Sequence, residues 1–234
     1  MSLPNSGTLD RRAVVAALLR DPGELMVVTG LGSATYDVGA AGDRPLNFYL
    51  WGAMGGSAMI GLGLALAQPA RRVLVITGDG EMLMGMGSLA TIAAAGAANL
   101  AIAVLDNARY GETGSQPSHT GLTTDLAAVA AACGWRATTT ARGMAEVEAL
   151  RQLSVEERAC FFVIMTECSD PELHRSRVGS RDRAIPGWYE LDWSHVERSR
   201  KIWDPDMAAD LKVYTANPLE TIRHNLGGHF VRAR

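Results

Sequence analysis

With 234 residues, 47% of them apolar and 20% charged, the chain can bury a substantial core, and nothing in this composition fits a disordered polymer. A net charge of −3 and a pI near 6.0 exclude the electrostatic footprint of a nucleic-acid binder, and there is no polybasic cluster to dock on anionic lipid. The cysteines, Cys133, Cys160 and Cys168, are odd in number and lack metal spacing, so they read as reduced thiols of a cytoplasmic protein.

In chain order, the first apolar stretch runs from Ala13 to Leu19. It is short and ends in Arg20 and Asp21 without a cleavage site, so an amphipathic helix is expected rather than a signal peptide. Leu25 to Thr29 reads as a strand, followed by the glycine-rich turn Gly30-Leu31-Gly32-Ser33. Phe48 to Ala67 and Met82 to Leu105 are both uncharged and about as long as a bilayer span. Glycines at 52, 55, 56, 61 and 63 interrupt the first run, and Gly85, Gly87, Gly96 and Asn99 the second. A helix over Gly55 to Ala67, buried in a protein and packed closely through its small residues, accounts for the first run without a membrane.

Arg72 to Thr77 and Leu100 to Leu105 are continuous apolar runs, as central parallel strands covered on both faces require. Helices are expected over Ser88 to Ala95, Asp125 to Cys133 and Gly143 to Leu153, and strands over Ala137 to Thr140 and Cys160 to Thr166. The alternation predicts an α/β fold, an open, mostly parallel sheet with helices on both faces. Ligands bind such sheets beyond the carboxyl ends of the strands, which points to the loops after Thr77 and Leu105.

From Asp170 the character changes. Roughly a third of the residues there are charged, about twice the earlier density, and Trp188, Trp193 and Trp203 fall in this stretch. The expected organisation is therefore a domain over 1–169 and a C-terminal extension over 170–234. Two readings of the extension stay open, an irregular tail on its own domain or an arm that anchors a partner subunit through its tryptophans.

The loop after the first central strand reads Gly78-Asp79-Gly80-Glu81, and the loop after the second opens with Asp106-Asn107. A lone Gly-Asp-Gly also makes an ordinary turn. The combination says more: two glycines admit a diphosphate to the backbone at a helix N-terminus, while a carboxylate and an amide oxygen suit octahedral magnesium. The interval from Asp79 to Asn107 holds one crossover helix and one strand, the requirement for neighbouring parallel strands.

Gly78-Asp79-Gly80 through Asn107 resembles the signature of the thiamine diphosphate-dependent enzymes. The resemblance implies that Asp79, Asn107 and the Arg109 carbonyl bind Mg2+, and that the amides of Gly80 and Glu81 contact the diphosphate. Gly78, Tyr110 and Gly111 join the cofactor contacts on the same grounds. Glu81 stands where many relatives have a small residue. Trp51-Gly52-Ala53-Met54-Gly55 is similar to a second family segment, in which the apolar side chain wedges between the cofactor rings and forces a bend. Met54 would take that role, and the Gly52 carbonyl would accept from the 4′-amino group; plain core packing is the other reading of Met54. Gly32 and Ser33 match a further diphosphate-side loop more loosely.

Asn47-Phe48-Tyr49, Gly52-Ala53-Met54-Gly55 and Tyr110-Gly111-Glu112-Thr113-Gly114-Ser115-Gln116-Pro117 look like segments of sulfopyruvate decarboxylase β subunits and of the C-terminal domain of phosphonopyruvate decarboxylases. That likeness covers roughly residues 10 to 168. It implies a decarboxylase subunit acting on a small anionic 2-oxo acid, in a hetero-oligomer with a separate α subunit that supplies the catalytic glutamate. A carboligase, a non-catalytic cofactor-binding regulatory module and a self-associating enzyme that dispenses with the glutamate are the alternatives. His119 is read either as a proton relay or as an exposed loop histidine. The Arg109 side chain either faces an anionic head group or lies on the surface.

Overall fold

A computed structural model describes residues 9–113, 115–155, 159–166 and Ser194. The extension with its tryptophans, Cys168, His174, His195, His224, His229 and the boundary at 169/170 lie outside the described residues. Strands β1 (Met26–Thr29), β2 (Asn47–Tyr49), β3 (Val73–Gly78), β4 (Leu100–Asp106), β7 (Thr138–Ala141) and β8 (Cys160–Met165) form one sheet in the order β2-β1-β3-β4-β8-β7. Every pairing in it is parallel, in line with the expected sheet class. A two-stranded antiparallel ribbon, β5 (Arg109–Tyr110) with β6 (Gln116–Pro117), stands apart from it.

Side chains along the central strands alternate between two cores. Val27, Leu74, Ile76, Ala101, Ala103 and Phe162 face α1 (Arg11–Leu18), α2 (Ser33–Ala41) and α7 (Met144–Val155). Val28, Val75, Ile102, Val104 and Phe161 face α3 (Ser57–Ala67), α5 (Ser88–Ala95) and α6 (Leu126–Ala132). With helices on both faces the strands show no polar side, so β4 is buried along its whole length.

The glycines of the first uncharged run have a packing reason. A Cβ at Gly61 would overlap the Val75 side chain, so α3 lies directly on β3. No helix among the described residues is long and apolar enough to cross a membrane. The sequence reading places no element at α2, β2 or the β5–β6 ribbon. Helix α2 carries no apolar stripe; it buries Asp37, which Arg11 and Arg12 of α1 pair with. Strand β2 is only three residues long, at the sheet edge.

The connectivity fixes where a ligand can enter. From β1 the chain moves outward to β2, then returns to the other side of β1 as β3 and continues to β4. The crevice between the carboxyl ends of β1 and β3 is thus the point where strand order reverses, the usual ligand position in open α/β sheets.

Candidate functional site

Strand β3 ends at Gly78, and α4 (Asp79–Met84) begins at once with Asp79, 3% exposed. The register pairs Gly78 with Leu105, so the ends of β3 and β4 lie side by side and bring Asp79 to the Asp106-Asn107 turn. The Asn107 backbone amide is close enough to the Asp79 carboxylate to pull its pKa down. Asn107 Oδ1 accepts the Arg109 N–H at 3.0 Å, and Asp106 Oδ1 accepts the Ala108 N–H at 2.8 Å. Ala108 takes a left-handed conformation, φ 57°, which lets the turn reverse so tightly.

The ribbon then carries the chain back. The Ser118 N–H donates to the Ala108 carbonyl at 2.9 Å, and the buried Ser118 hydroxyl donates to Asp79 Oδ2 at 2.5 Å. Thr120 Oγ1 lies 2.7 Å from Asp106 Oδ1 and 3.3 Å from Asp79 Oδ2. Burial pushes the Asp79 carboxyl above its usual range, against the pull of Ser118, the Asn107 N–H and Thr120. Asp106 is also raised, first by burial and then by the charge of Asp79, with Thr120 opposing. Two desolvated carboxylates thus share one corner with too little positive charge. The Asp79 carboxylate, the Asn107 amide oxygen and the Arg109 carbonyl on the adjoining turn are hard oxygens of the kind that could hold a divalent cation. Among the described residues no group of three His, Cys, Asp or Glu side chains is placed to hold a metal ion, so such a site depends on amide and carbonyl oxygens.

Tyr110 packs its ring over Gly80, where a Cβ would come within 2.8 Å of the ring edge. Its hydroxyl lies 2.8 Å from His119 Nδ1, with the rings edge to face. His119 is therefore exposed yet held, between two residues whose hydroxyls reach Asp79. The Arg109 guanidinium turns back onto its own ribbon and donates to the Ser115 carbonyl at 3.0 Å, while the Arg109 carbonyl accepts the Gly111 N–H at 3.1 Å.

The second motif meets the first through bare backbone. Gly52 and Gly55 have φ of 89° and 83°, and a Cβ at Gly85 would overlap the Gly55 carbonyl. The Trp51–Gly55 loop therefore lies against the end of α4. Met54 is 54% exposed, so core packing does not account for it. Gly32 opens α2 with φ 80° and no side-chain cap, at the carboxyl end of β1, and Ser33 is the first residue of that helix.

The structure thus gathers the ends of β1, β3 and β4, with Gly32, Asp79, Asn107 and Tyr110, at one edge of the sheet. Sequence reasoning missed Asp106 as a second buried acid, the Ser118 hydroxyl on Asp79, the Thr120 hydroxyl on Asp106, and Gly85. The Ser-His-Thr triplet around His119 was the available signal.

Residues 29–165 match the family model described as thiamine pyrophosphate enzyme, C-terminal TPP binding domain. The chain is 36% identical over 152 residues to the sulfopyruvate decarboxylase β subunit of Methanocaldococcus jannaschii, covering 64% of this chain and 80% of that one. It is 43% identical over 135 residues to the phosphonopyruvate decarboxylase of Streptomyces hygroscopicus, covering 57% of this chain but only 33% of that enzyme. Benzoylformate decarboxylase from Polynucleobacter necessarius shares the fold with a TM-score of 0.61 at 18% identity, over 71% of this chain and 35% of that one. With its two glycine loops and its Asp79–Asn107 corner inside the matched span, the chain belongs to the thiamine pyrophosphate enzymes and carries their C-terminal TPP-binding domain.

Proposed function

We propose that this chain is the diphosphate- and magnesium-binding, β-type subunit of a cytoplasmic thiamine diphosphate-dependent decarboxylase acting on a small anionic 2-oxo acid. One observation carries the reading: the buried Asp79 carboxylate set beside the Asp106-Asn107 turn, at the carboxyl ends of two adjacent parallel strands. Asp79, Asn107 and the Arg109 carbonyl would hold Mg2+. The backbone around Gly78, Gly80 and Glu81, the Gly32-Ser33 turn and the Arg109–Gly111 segment would hold the cofactor.

Bound thiamine diphosphate supplies the electron sink for loss of carbon dioxide. The chain's own residues position it. Met54, exposed on a loop braced against α4, is free to wedge against the cofactor rings, and the Gly52 carbonyl is assigned to its amino group. His119, oriented by the Tyr110 hydroxyl, is assigned to proton delivery at the reacting carbon.

A separate α-type subunit, supplying a catalytic glutamate in a hetero-oligomer, completes the proposal. The relatives named as β subunits support it, and so do the apolar side chains of Phe48, Trp51, Met54 and Met84, each more than half exposed. Exposed aromatic and Met side chains are enriched at interfaces. The Cys133 thiol, outside any disulfide, suits a reducing cytoplasm. The test is calorimetry with magnesium thiamine diphosphate. Wild type should bind and Asp79→Ala should lose magnesium-dependent binding; equal affinity of the two would end the reading. Carbon dioxide release from sulfopyruvate, phosphonopyruvate and pyruvate by the chain co-expressed with its partner then ranks the substrates.

A further inference from the structure

The crevice between β1 and β3 is bounded by two loops, Gly30–Ser33 and Gly78–Glu81, and one side chain crosses from the second to the first. Glu81 leaves the first turn of α4, is 8% exposed, and accepts the Leu31 N–H on Oε2 at 2.7 Å. The same oxygen accepts the Thr77 hydroxyl at 3.0 Å. The other oxygen, Oε1, is buried without a hydrogen-bond partner.

A buried carboxylate with an unsatisfied oxygen costs free energy, and an apolar side chain would fill the same space without that cost. The carboxylate is therefore explained by what Oε2 does. Gly30 is shaped to receive it: a Cβ there would overlap Glu81 Oε2 and come within 2.5 Å of Thr77 Oγ1. Residue 30 is thus bare because residue 81 reaches across. The loop so held leads into Gly32 and the uncapped first turn of α2, whose N–H groups have no side chain of their own to bond.

We propose that Glu81 is a positioning residue: it ties the Gly30–Ser33 loop to the Gly78–Gly80 turn, so that the N–H groups of both loops face one diphosphate. This rests on the diphosphate reading above. Glu81 works through the Leu31 N–H and not by touching the cofactor, since a carboxylate facing a diphosphate would repel it.

The experiment uses the full-length chain, with calorimetry against magnesium thiamine diphosphate and amide hydrogen exchange without any ligand. Losing a hydrogen bond to a charged acceptor should raise the dissociation constant of Glu81→Ala about tenfold. Glu81→Asp keeps the charge but is one carbon shorter, and should do the same. Glu81→Gln keeps an oxygen at full reach and should stay within about threefold of wild type. Exchange at Leu31 should quicken in the Ala and Asp variants and not in Gln. Gly30→Ala, which displaces the carboxylate, should match Glu81→Ala, and the double variant should be no worse than either alone.

Folded Ala and Asp variants with wild-type affinity and wild-type Leu31 exchange would overturn the inference, as would a Gln variant as defective as Ala. If Glu81→Ala fails to fold in a thermal melt, the Asp and Gln pair decides. Failure of the wild-type chain to bind magnesium thiamine diphosphate would instead sink the diphosphate reading, and Leu31 exchange would still test the tie.

Discussion

The Ser118 hydroxyl donates to the Asp79 carboxylate at 2.5 Å, joining residues 39 positions apart in sequence. Two residues later, the Thr120 hydroxyl does the same for Asp106. The β5–β6 ribbon thus returns the chain to the sheet edge with two hydroxyls facing two buried carboxylates. Without them Asp79 would lose its side-chain donors and Asp106 would keep only the Ala108 N–H. Ser118→Ala removes the shorter bond and should destabilise the ligand-free protein by about 1–3 kcal/mol in urea unfolding. A loss below the error of the measurement would mean that the hydroxyl is dispensable there.

Acidity at this corner gives a second expectation. Burial raises Asp79 and Asp106 above the ordinary carboxyl value of 3.8. A carboxyl whose folded-state pKa is raised binds its proton more tightly when folded. Its contribution is fully present below the unfolded value and is lost as pH rises through the folded one. Ligand-free protein should therefore lose stability as pH climbs from about 4, on account of these two groups. Magnesium, which binds the ionised form, should raise the melting temperature more at neutral pH than near pH 4. Melting curves with and without magnesium across that range check it; a magnesium effect that grows towards acid would contradict it.

Helix α3 offers a paired test of packing. Gly61→Ala drives a methyl group into Val75 and should cost about 1–3 kcal/mol through overpacking. Gly63, two residues on, has open space around its would-be Cβ, so Gly63→Ala should stabilise the helix by about 0.5–1 kcal/mol. Opposite signs from the same substitution, read by denaturant midpoints, would place α3 as described. Like signs would not.

Met54 separates a surface role from a core role. A buried methionine truncated to alanine costs about 2–5 kcal/mol. Since Met54 is half-exposed, Met54→Ala should leave stability within about 0.5 kcal/mol of wild type. The deficit should appear in affinity for magnesium thiamine diphosphate and in turnover with the partner subunit. A large drop in melting temperature would return Met54 to the core.

The parts legible in sequence were those with a local signature. Strands β3, β4 and β8 are continuous apolar runs because parallel strands are covered on both faces, and their ends fell within about two residues of expectation. Helix α2 was not legible: its buried face includes Asp37, acceptable there only because Arg11 and Arg12 arrive from another helix. Strand β2 has three residues, too few for any period to show. The same division runs through the site. Gly78-Asp79-Gly80 and Asn107 sit at fixed offsets from strands and announce themselves. Ser118 and Thr120 find their acids only after a ribbon has folded back, and hydroxyls are too common in loops to mark that in advance. Glu81 stood out in sequence only as a departure from the smaller residue expected, and the structure supplies the reason.

The contact of Gly55 with Gly85 leaves no room for a methyl group on the α4 side. The loop bearing Met54 and the helix that starts at Asp79 are therefore gauged against each other by main chain alone. No exchange of side chains at that seam can lengthen or shorten the gap. On the proposed function, side chains around a substrate can change while the spacing between the Met54 loop and Asp79 stays set by that backbone contact.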